Sequence, residues 1–305
     1  MARNIKAARQ GSFPCSSRRS DAAENKVKAG KMTGKIAYQG EPGANSHIAC
    51  KQAFPALEPL PCRTFEDCFA AVEKGEADLA MIPVENTIAG RVSDIHSLLP
   101  GTSLQIVGEH YLPIRFQLMT LPGVKLDEVK TARSHIMGLG QCREFLRAHG
   151  IDSVAASDTA GAAREVAESG DRTVAAIAPR LAAEVYGLEI LAEDIEDAAH
   201  NTTRFVIMSR EPSEIEVGDG PAKTAFLFEV RNIPAALFKV LGGFATNGVN
   251  MTKLESYMVG GNFTATQFYA EIEGHPDERS VQLALEEVGF FTQMMKLVGV
   301  FPASS

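Results

Sequence analysis

Short apolar runs recur along this chain, each emptying into a polar or glycine-containing stretch that leads to residues with helical spacing. The first is a strand at 35–38, followed by the turn 39–46 and a helix start, an arrangement that aims backbone N–H groups at an anion. Thr64 reads as the N-cap of a helix over 65–74, whose apolar positions 65, 68, 69 and 72 share one face and which Gly75 stops. A strand at 78–82 then runs out into a loop over 83–91. The unit repeats further on: the loop 134–140 leads into a helix over 141–149, Asp158 caps a helix over 159–168, 174–178 is a buried strand, and Pro179 opens a helix that Gly187 closes. Strands alternating with helices predict an α/β fold with its ligand beyond the carboxyl ends of the strands.

Residues 211–222 combine Pro, Gly and acidic residues without periodicity, the composition of a linker between a domain over 35–210 and a second one over 223–301. The second domain reads as strand (224–230), helix (235–244), strand (249–258), a turn at Gly260-Gly261-Asn262, strand (263–272), helix (280–288) and strand (296–301). That order, βαββαβ, is ferredoxin-like.

At 305 residues, 45% apolar and 22% charged, the chain has material for about two cores. Residues 1–31 carry eight Lys or Arg against Asp21 and Glu24, so a net charge of -8 hides a body near -14. An acidic body argues against nucleic acid as a partner. The first 31 residues lack the apolar core of a secretory signal, and residues 1–34 read as a disordered or non-native extension, with Met32 as a working start. No apolar run approaches a membrane span, and the five cysteines (Cys15, Cys50, Cys62, Cys68, Cys142) form no C-x-x-C pair or zinc pattern. Reduced thiols in a cytoplasmic protein, without metal or membrane, are expected.

The chemistry concentrates at Asn201-Thr202-Thr203-Arg204-Phe205, where the acidic loop 193–200 becomes an apolar strand. A rigid strand fixes side chains at its mouth, so a hydroxyl and a guanidinium are held there together. Taken alone, Thr203 begins a strand and Arg204 is a surface cation. Two further polar stretches, Glu85-Asn86-Thr87 and Ser134 with Gln141, lie at other strand ends and change that balance. The sequence Gly30-Lys31-Met32-Thr33-Gly34-Lys35 falls short of a phosphate loop, with three residues between its glycines and no hydroxyl after Lys35.

Taken in order, Ala77-Asp78-Leu79-Ala80-Met81-Ile82-Pro83-Val84-Glu85-Asn86, Ser134-His135 with Leu139-Gly140-Gln141-Cys142, and Asn201-Thr202-Thr203-Arg204-Phe205 resemble prephenate dehydratase. Tyr38-Gln39-Gly40-Glu41-Pro42-Gly43-Ala44 and Gly108-Glu109-His110-Tyr111-Leu112-Pro113-Ile114 fit as well, and residues 223–301 look like the family's ACT regulatory domain. The resemblance implies a two-lobed catalytic domain similar to type 2 periplasmic binding proteins, with substrate between the lobes. It implies loss of water and carbon dioxide from prephenate to give phenylpyruvate, without a cofactor, on the route to phenylalanine. By the same resemblance Thr203 is the essential catalytic residue, and Asn86, Thr87, Ser134, Gln141, Arg204 and Phe205 belong to the substrate site. A hydroxyl is a weak acid, so Glu85 is the candidate proton source, on the expectation that burial beside an apolar strand keeps its carboxyl neutral. Arg204 is expected to fork onto a substrate carboxylate.

Two departures stand out. Where the family often has Ser-His-Pro-Gln, this chain has Ser134-His135-Ile136-Met137. The effector motifs G-A-L-V and E-S-R-P read here as Ala235-Ala236-Leu237-Phe238 and Glu255-Ser256-Tyr257-Met258. Inhibition by L-phenylalanine through Ala235, Ala236, Leu237, Glu255 and Ser256, and a homodimer or homotetramer joined through these domains, are the expectations. The rival readings are arogenate dehydratase and a non-catalytic amino-acid sensor.

Overall fold

A computed structural model describes residues 34–92, 94–231, 233–258 and 265–304; the N-terminal extension and the turn 260–262 lie outside the described residues. The chain first builds one lobe from β1 (Lys35–Gln39), α1 (Asn45–Ala53), β2 (Glu58–Cys62), α2 (Phe65–Glu73), β3 (Leu79–Asn86), β4 (Gly90–Arg91) and β5 (Gln105–Pro113). It crosses to a second lobe of β6 (Gln117–Thr120), β7 (Thr131–His135), α3 (Ile136–Gly140), α4 (Arg143–His149), β8 (Asp152–Ala156), α5 (Thr159–Ser169), β9 (Val174–Ala178), α6 (Arg180–Tyr186) and β10 (Glu189–Ala192). It then returns to the first through β11 (Thr202–Ser209). The α/β, two-lobed architecture is as expected, and the capping hydroxyl of Thr64 and carboxylate of Asp158 accept the backbone N–H of Asp67 (3.1 Å) and Gly161 (2.7 Å).

The loop expected after residue 82 is instead strand as far as Asn86, and the loop expected over 134–140 is the end of β7 followed by α3. Pro83 is tolerated in β3 because the register slips there: Arg204 of β11 faces Glu85, while Phe205 faces Pro83, leaving Val84 as a bulge.

Residues 222–302 form β12 (Ala222–Val230), α7 (Ala236–Thr246), β13 (Met251–Met258), β14 (Ala265–Glu273), α8 (Arg279–Gly289) and β15 (Thr292–Pro302), the ferredoxin-like order. Its four strands continue the first lobe's sheet, in the order β13-β14-β12-β15-β5-β11-β3-β1-β2 with β4 paired to β3. The second lobe has its own sheet, β10-β6-β9-β7-β8. At the domain junction Gly299 lies beside Ile106, so close that a β-carbon would collide with its carbonyl oxygen. Lys296 completes the contact, its ammonium donating to the carbonyls of Leu99, Pro100 and Thr102.

β11 is buried on both faces. Phe205 and Ile207 join a cluster that spans both lobes, with Ile36, Tyr38 and Met81 from one and Phe116, Leu139 and Ile177 from the other. Val206 and Met208 join a different cluster with Leu227, Tyr269, Val298 and Phe301 of the ferredoxin-like domain. Period-two alternation therefore aims one set of side chains at the lobe boundary and the other at the C-terminal domain. Gly43, with φ +92°, lets the turn before α1 touch α6 across that boundary, since a β-carbon there would stand 2.7 Å from Ala182 Cα.

Candidate functional site

Thr203 stands on the lobe-facing side of β11, directly opposite Asn86 of β3. The Asn86 amide donates to Thr203 Oγ1 (3.0 Å), Asn201 Oδ1 (2.7 Å) and the Thr202 carbonyl (3.3 Å), and its Oδ1 accepts the backbone N–H groups of Ile88 (3.0 Å) and Ala89 (2.7 Å). Asn201 Nδ2 in turn donates to Gln141 Oε1 (2.7 Å). Gln141 occupies the C-cap of α3 in the second lobe, so this string of amides crosses from lobe to lobe. Thr87 fastens the adjoining loop, its hydroxyl donating to the His200 carbonyl (2.8 Å) and accepting the Thr202 N–H (2.9 Å). Asn86, Thr87, Gln141 and Thr203, far apart in sequence, are thus gathered at one strand mouth. Asn201, only 2% exposed, completes the group although sequence reasoning gave it no separate role. The signal was its place in the same pentapeptide as Thr203.

Other expected site residues lie elsewhere. Alternation along β3 places Leu79, Met81 and Pro83 on the lobe-facing side and would carry Glu85 there too, but the bulge at Val84 turns Glu85 to the opposite face, beside Arg204. Glu85 is half exposed and pairs with Lys253 of β13 (3.0 Å), which corrects the expectation of a buried acid next to Thr203. Ser134 is fully buried and spends its proton on the Ile177 carbonyl (2.6 Å), so it is not the free cleft donor expected. Phe205 is packed in the core at 1% exposure rather than presented to a ligand.

Arg204 is the largest correction. One residue beyond Thr203, it points to the other side of the sheet and is 7% exposed. Its guanidinium makes a bidentate pair with Glu271 of β14 (3.0 and 2.7 Å), and its Nε donates to Glu109 of β5 (2.8 Å). Lys223 of β12 also reaches Glu109 (2.9 Å), and Tyr269 donates to Glu271 (2.7 Å). Burial alone disfavours the Arg204 cation, but Glu271 and Glu109 outweigh it and push its pKa up. Burial likewise opposes ionisation of Glu109, yet Arg204, Lys223 and the Ser304 N–H together keep its carboxyl below the ordinary glutamate range. Fully paired in this way, Arg204 joins the domains instead of offering a fork to substrate.

Among the residues expected to bind an effector, Ala236 is buried in α7, Leu237 is half-buried, and Ser256 is exposed. Ala235 caps α7 in the left-handed region, with φ +62°, where the family motif has glycine. Glu255 is bonded to Arg91 of β4 (2.8 Å), and that guanidinium also lies over the Tyr257 ring, 5.8 Å from its centre. The strand expected to hold an effector therefore grips the hairpin that follows Asn86. A cavity of about 250 Å³ between Glu85, Tyr111, Arg204, Lys223 and Lys253 lies on this same side, away from Thr203.

Among the described residues no group of three or more His, Cys, Asp and Glu side chains could hold a metal ion, and no helix is long and apolar enough to cross a membrane. Cys50, Cys68 and Cys142 are buried thiols whose ionisation burial suppresses, so they pack rather than react.

Comparison with known proteins agrees with this layout. Residues 36–213 match the family profile described as Prephenate dehydratase. The chain is 49% identical over 269 residues to a bifunctional N-acyl-homoserine lactone acylase/prephenate dehydratase of Komagataeibacter europaeus, covering 88% of this chain and 96% of that protein. It is 38% identical to arogenate dehydratase/prephenate dehydratase 1, chloroplastic, of Arabidopsis thaliana, covering 93% and 74%. The crystal structure of prephenate dehydratase in complex with L-Phe from Arthrobacter aurescens superposes with a TM-score of 0.80 at 30% identity, covering 88% and 90%. A profile spanning more than half of the chain, and a relative 49% identical over 269 residues, place this enzyme in the prephenate dehydratase family.

Proposed function

We propose that this enzyme converts prephenate to phenylpyruvate, water and carbon dioxide, with Thr203 as the hydroxyl that assists the leaving group. The observation that carries this reading is the bond from Asn86 Nδ2 to Thr203 Oγ1. Because the threonine oxygen accepts there, its own proton is left to point at a ligand. In the reaction the bond to the ring carboxylate breaks, its electron pair completes the aromatic ring, and the 4-hydroxyl departs with a proton as water. A donor aimed at that oxygen lowers the barrier by a hydrogen bond that strengthens as charge develops. Gln141 supplies a second neutral donor from the other lobe, and the N-terminus of α1, which has no side-chain cap, offers backbone N–H groups to a carboxylate.

The acylase activity in the name of the Komagataeibacter europaeus relative would require a nucleophile with a base. Among the described residues, neither Thr203 nor Ser134 shares a hydrogen bond with an imidazole, so the donor-rich site fits dehydration. Incubating the protein with prephenate and no cofactor should yield phenylpyruvate; parallel incubations with arogenate and with an acyl-homoserine lactone measure the alternatives. Turnover of the lactone alone, or of nothing, overturns the assignment.

Regulation by L-phenylalanine through the ferredoxin-like domain, acting as an ACT domain in a homodimer or homotetramer, belongs to the same reading. It is supported by the L-Phe complex of the Arthrobacter aurescens relative and by the bond between Glu255 and Arg91. An amino-acid ammonium that took Glu255 from Arg91 would release the hairpin next to Asn86. Activity and Tm should both respond to millimolar L-phenylalanine, and an unchanged pair of values refutes the regulation. Sedimentation checks the assembly.

A further inference from the structure

The amides around Thr203 form a chain with a direction. Backbone N–H groups can only donate, so the two from Ile88 and Ala89 fix the side of Asn86 they meet as the oxygen. The Asn86 nitrogen then faces Asn201, whose near atom must be its oxygen and whose far atom its nitrogen. That nitrogen donates to Gln141 Oε1, which fixes the Gln141 amide as well. The chain ends in two unspent donors: the Thr203 hydroxyl, whose oxygen already accepts from Asn86, and the Gln141 NH2, which has no partner among the described residues. Asn201 is the link on which this depends. It lies where the chain returns from the second lobe, its carbonyl accepting the Ile114 N–H (2.8 Å) of the outgoing crossover, and its side chain is the bridge between Asn86 in one lobe and Gln141 in the other.

We propose that Asn201 is a positioning residue that sets the polarity of this chain, so that Gln141 presents N–H and not C=O to the substrate. The inference rests on the dehydratase reading and deepens it: at this end of the site the ligand offers an acceptor oxygen, a carboxylate or a keto group. An ammonium placed there would meet a donor. The orientation is inherited from two backbone N–H groups, so it is set before the ligand arrives and costs nothing to arrange during turnover.

Asn201→Asp tests it with a side chain of the same shape. The introduced carboxylate still accepts from Asn86, but its second oxygen also accepts, so the Gln141 amide must turn over and point its oxygen outward. We expect KM for prephenate to rise about tenfold, as for loss of one hydrogen bond to a charged group, with a smaller change in kcat. Gln141→Leu should raise KM to the same degree, and the double variant should be no worse than Gln141→Leu by more than about twofold, because Asn201 acts on KM through Gln141. Gln141→Glu keeps the Asn201 bond yet puts a carboxylate oxygen outward, and it should show the same loss even if Asn201→Asp folds poorly. A side-chain amide NMR spectrum reads the geometry without activity: the Gln141 NH2 exchanges freely with water in the wild type and becomes protected in Asn201→Asp. An unchanged KM in folded Asn201→Asp, multiplicative losses in the double variant, or a Gln141 NH2 already protected in the wild type overturns the proposal. Absence of turnover by the wild type removes the dehydratase reading instead, and the NMR result still decides the polarity.

Discussion

Replacing Glu271 with alanine breaks the ion pair that joins the two domains behind Thr203. Glu271 is 1% exposed and holds both terminal nitrogens of Arg204, while Glu109, fully buried, takes the third and Lys223 besides. Two cations thus face two carboxylates. Without Glu271, Arg204 and Lys223 share Glu109 alone, largely covered by protein although a cavity borders them. Breaking such a buried pair costs about 3–5 kcal/mol, far more than breaking a solvent-screened surface pair. At about 2 °C per kcal/mol for a chain of this size, Tm should fall by roughly 6–10 °C. Salt should change that loss little, because buried charges are weakly screened. The double variant Arg204→Met with Glu271→Leu removes both charges and leaves Glu109 with Lys223, so it should be more stable than Glu271→Ala. Scanning fluorimetry at low and high salt measures all of this. A Glu271→Ala protein within about 2 °C of wild type, or a double variant that loses as much as both single changes added together, refutes the reasoning.

Thr203→Ala should lower kcat by about 10²–10⁴ and move KM only slightly, with Thr203→Ser retaining much of the rate; steady-state kinetics decide, and a kcat within tenfold of wild type for the alanine variant removes Thr203 from the mechanism. Ala235→Gly relieves a left-handed backbone and should stabilise the ferredoxin-like domain by about 1 kcal/mol, visible as a rise in urea midpoint at constant slope; a lower midpoint contradicts it. Acidification should destabilise the fold in two steps. Burial keeps His47 and His110 neutral, below their ordinary value of 6.5, so their contribution is complete above that pH and is lost as pH falls through their lower folded-state values. Glu109, held below 4.5 by its cations, adds a second loss at lower pH still. A Tm that rises between pH 7.5 and 5.5 would run against this sign.

Local chemistry was legible where it acts over a few residues. Thr64 and Asp158 announce helix starts because their oxygens satisfy N–H groups three residues on, and βαββαβ follows from apolar spacing and turns. The polar positions at 85–87, 141 and 201–204 were likewise visible as polar residues interrupting apolar runs. Their grouping was not, because Asn86 and Thr203 are 117 residues apart and meet only through the antiparallel pairing of β3 with β11.

What the sequence determined by itself was therefore the set of elements, the family resemblance, and a short roster of polar residues with Thr203 at its centre. What the tertiary structure decided was the side of the sheet on which each one works. A single bulge at Val84 sends Glu85 away from Thr203, and alternation sends Arg204 to the C-terminal domain, where Glu109 and Glu271 consume its charge. Sidedness depends on register, and register is a property of paired strands rather than of any one segment, which is why a string of letters naming the right residues still assigned two of their charges to the wrong face.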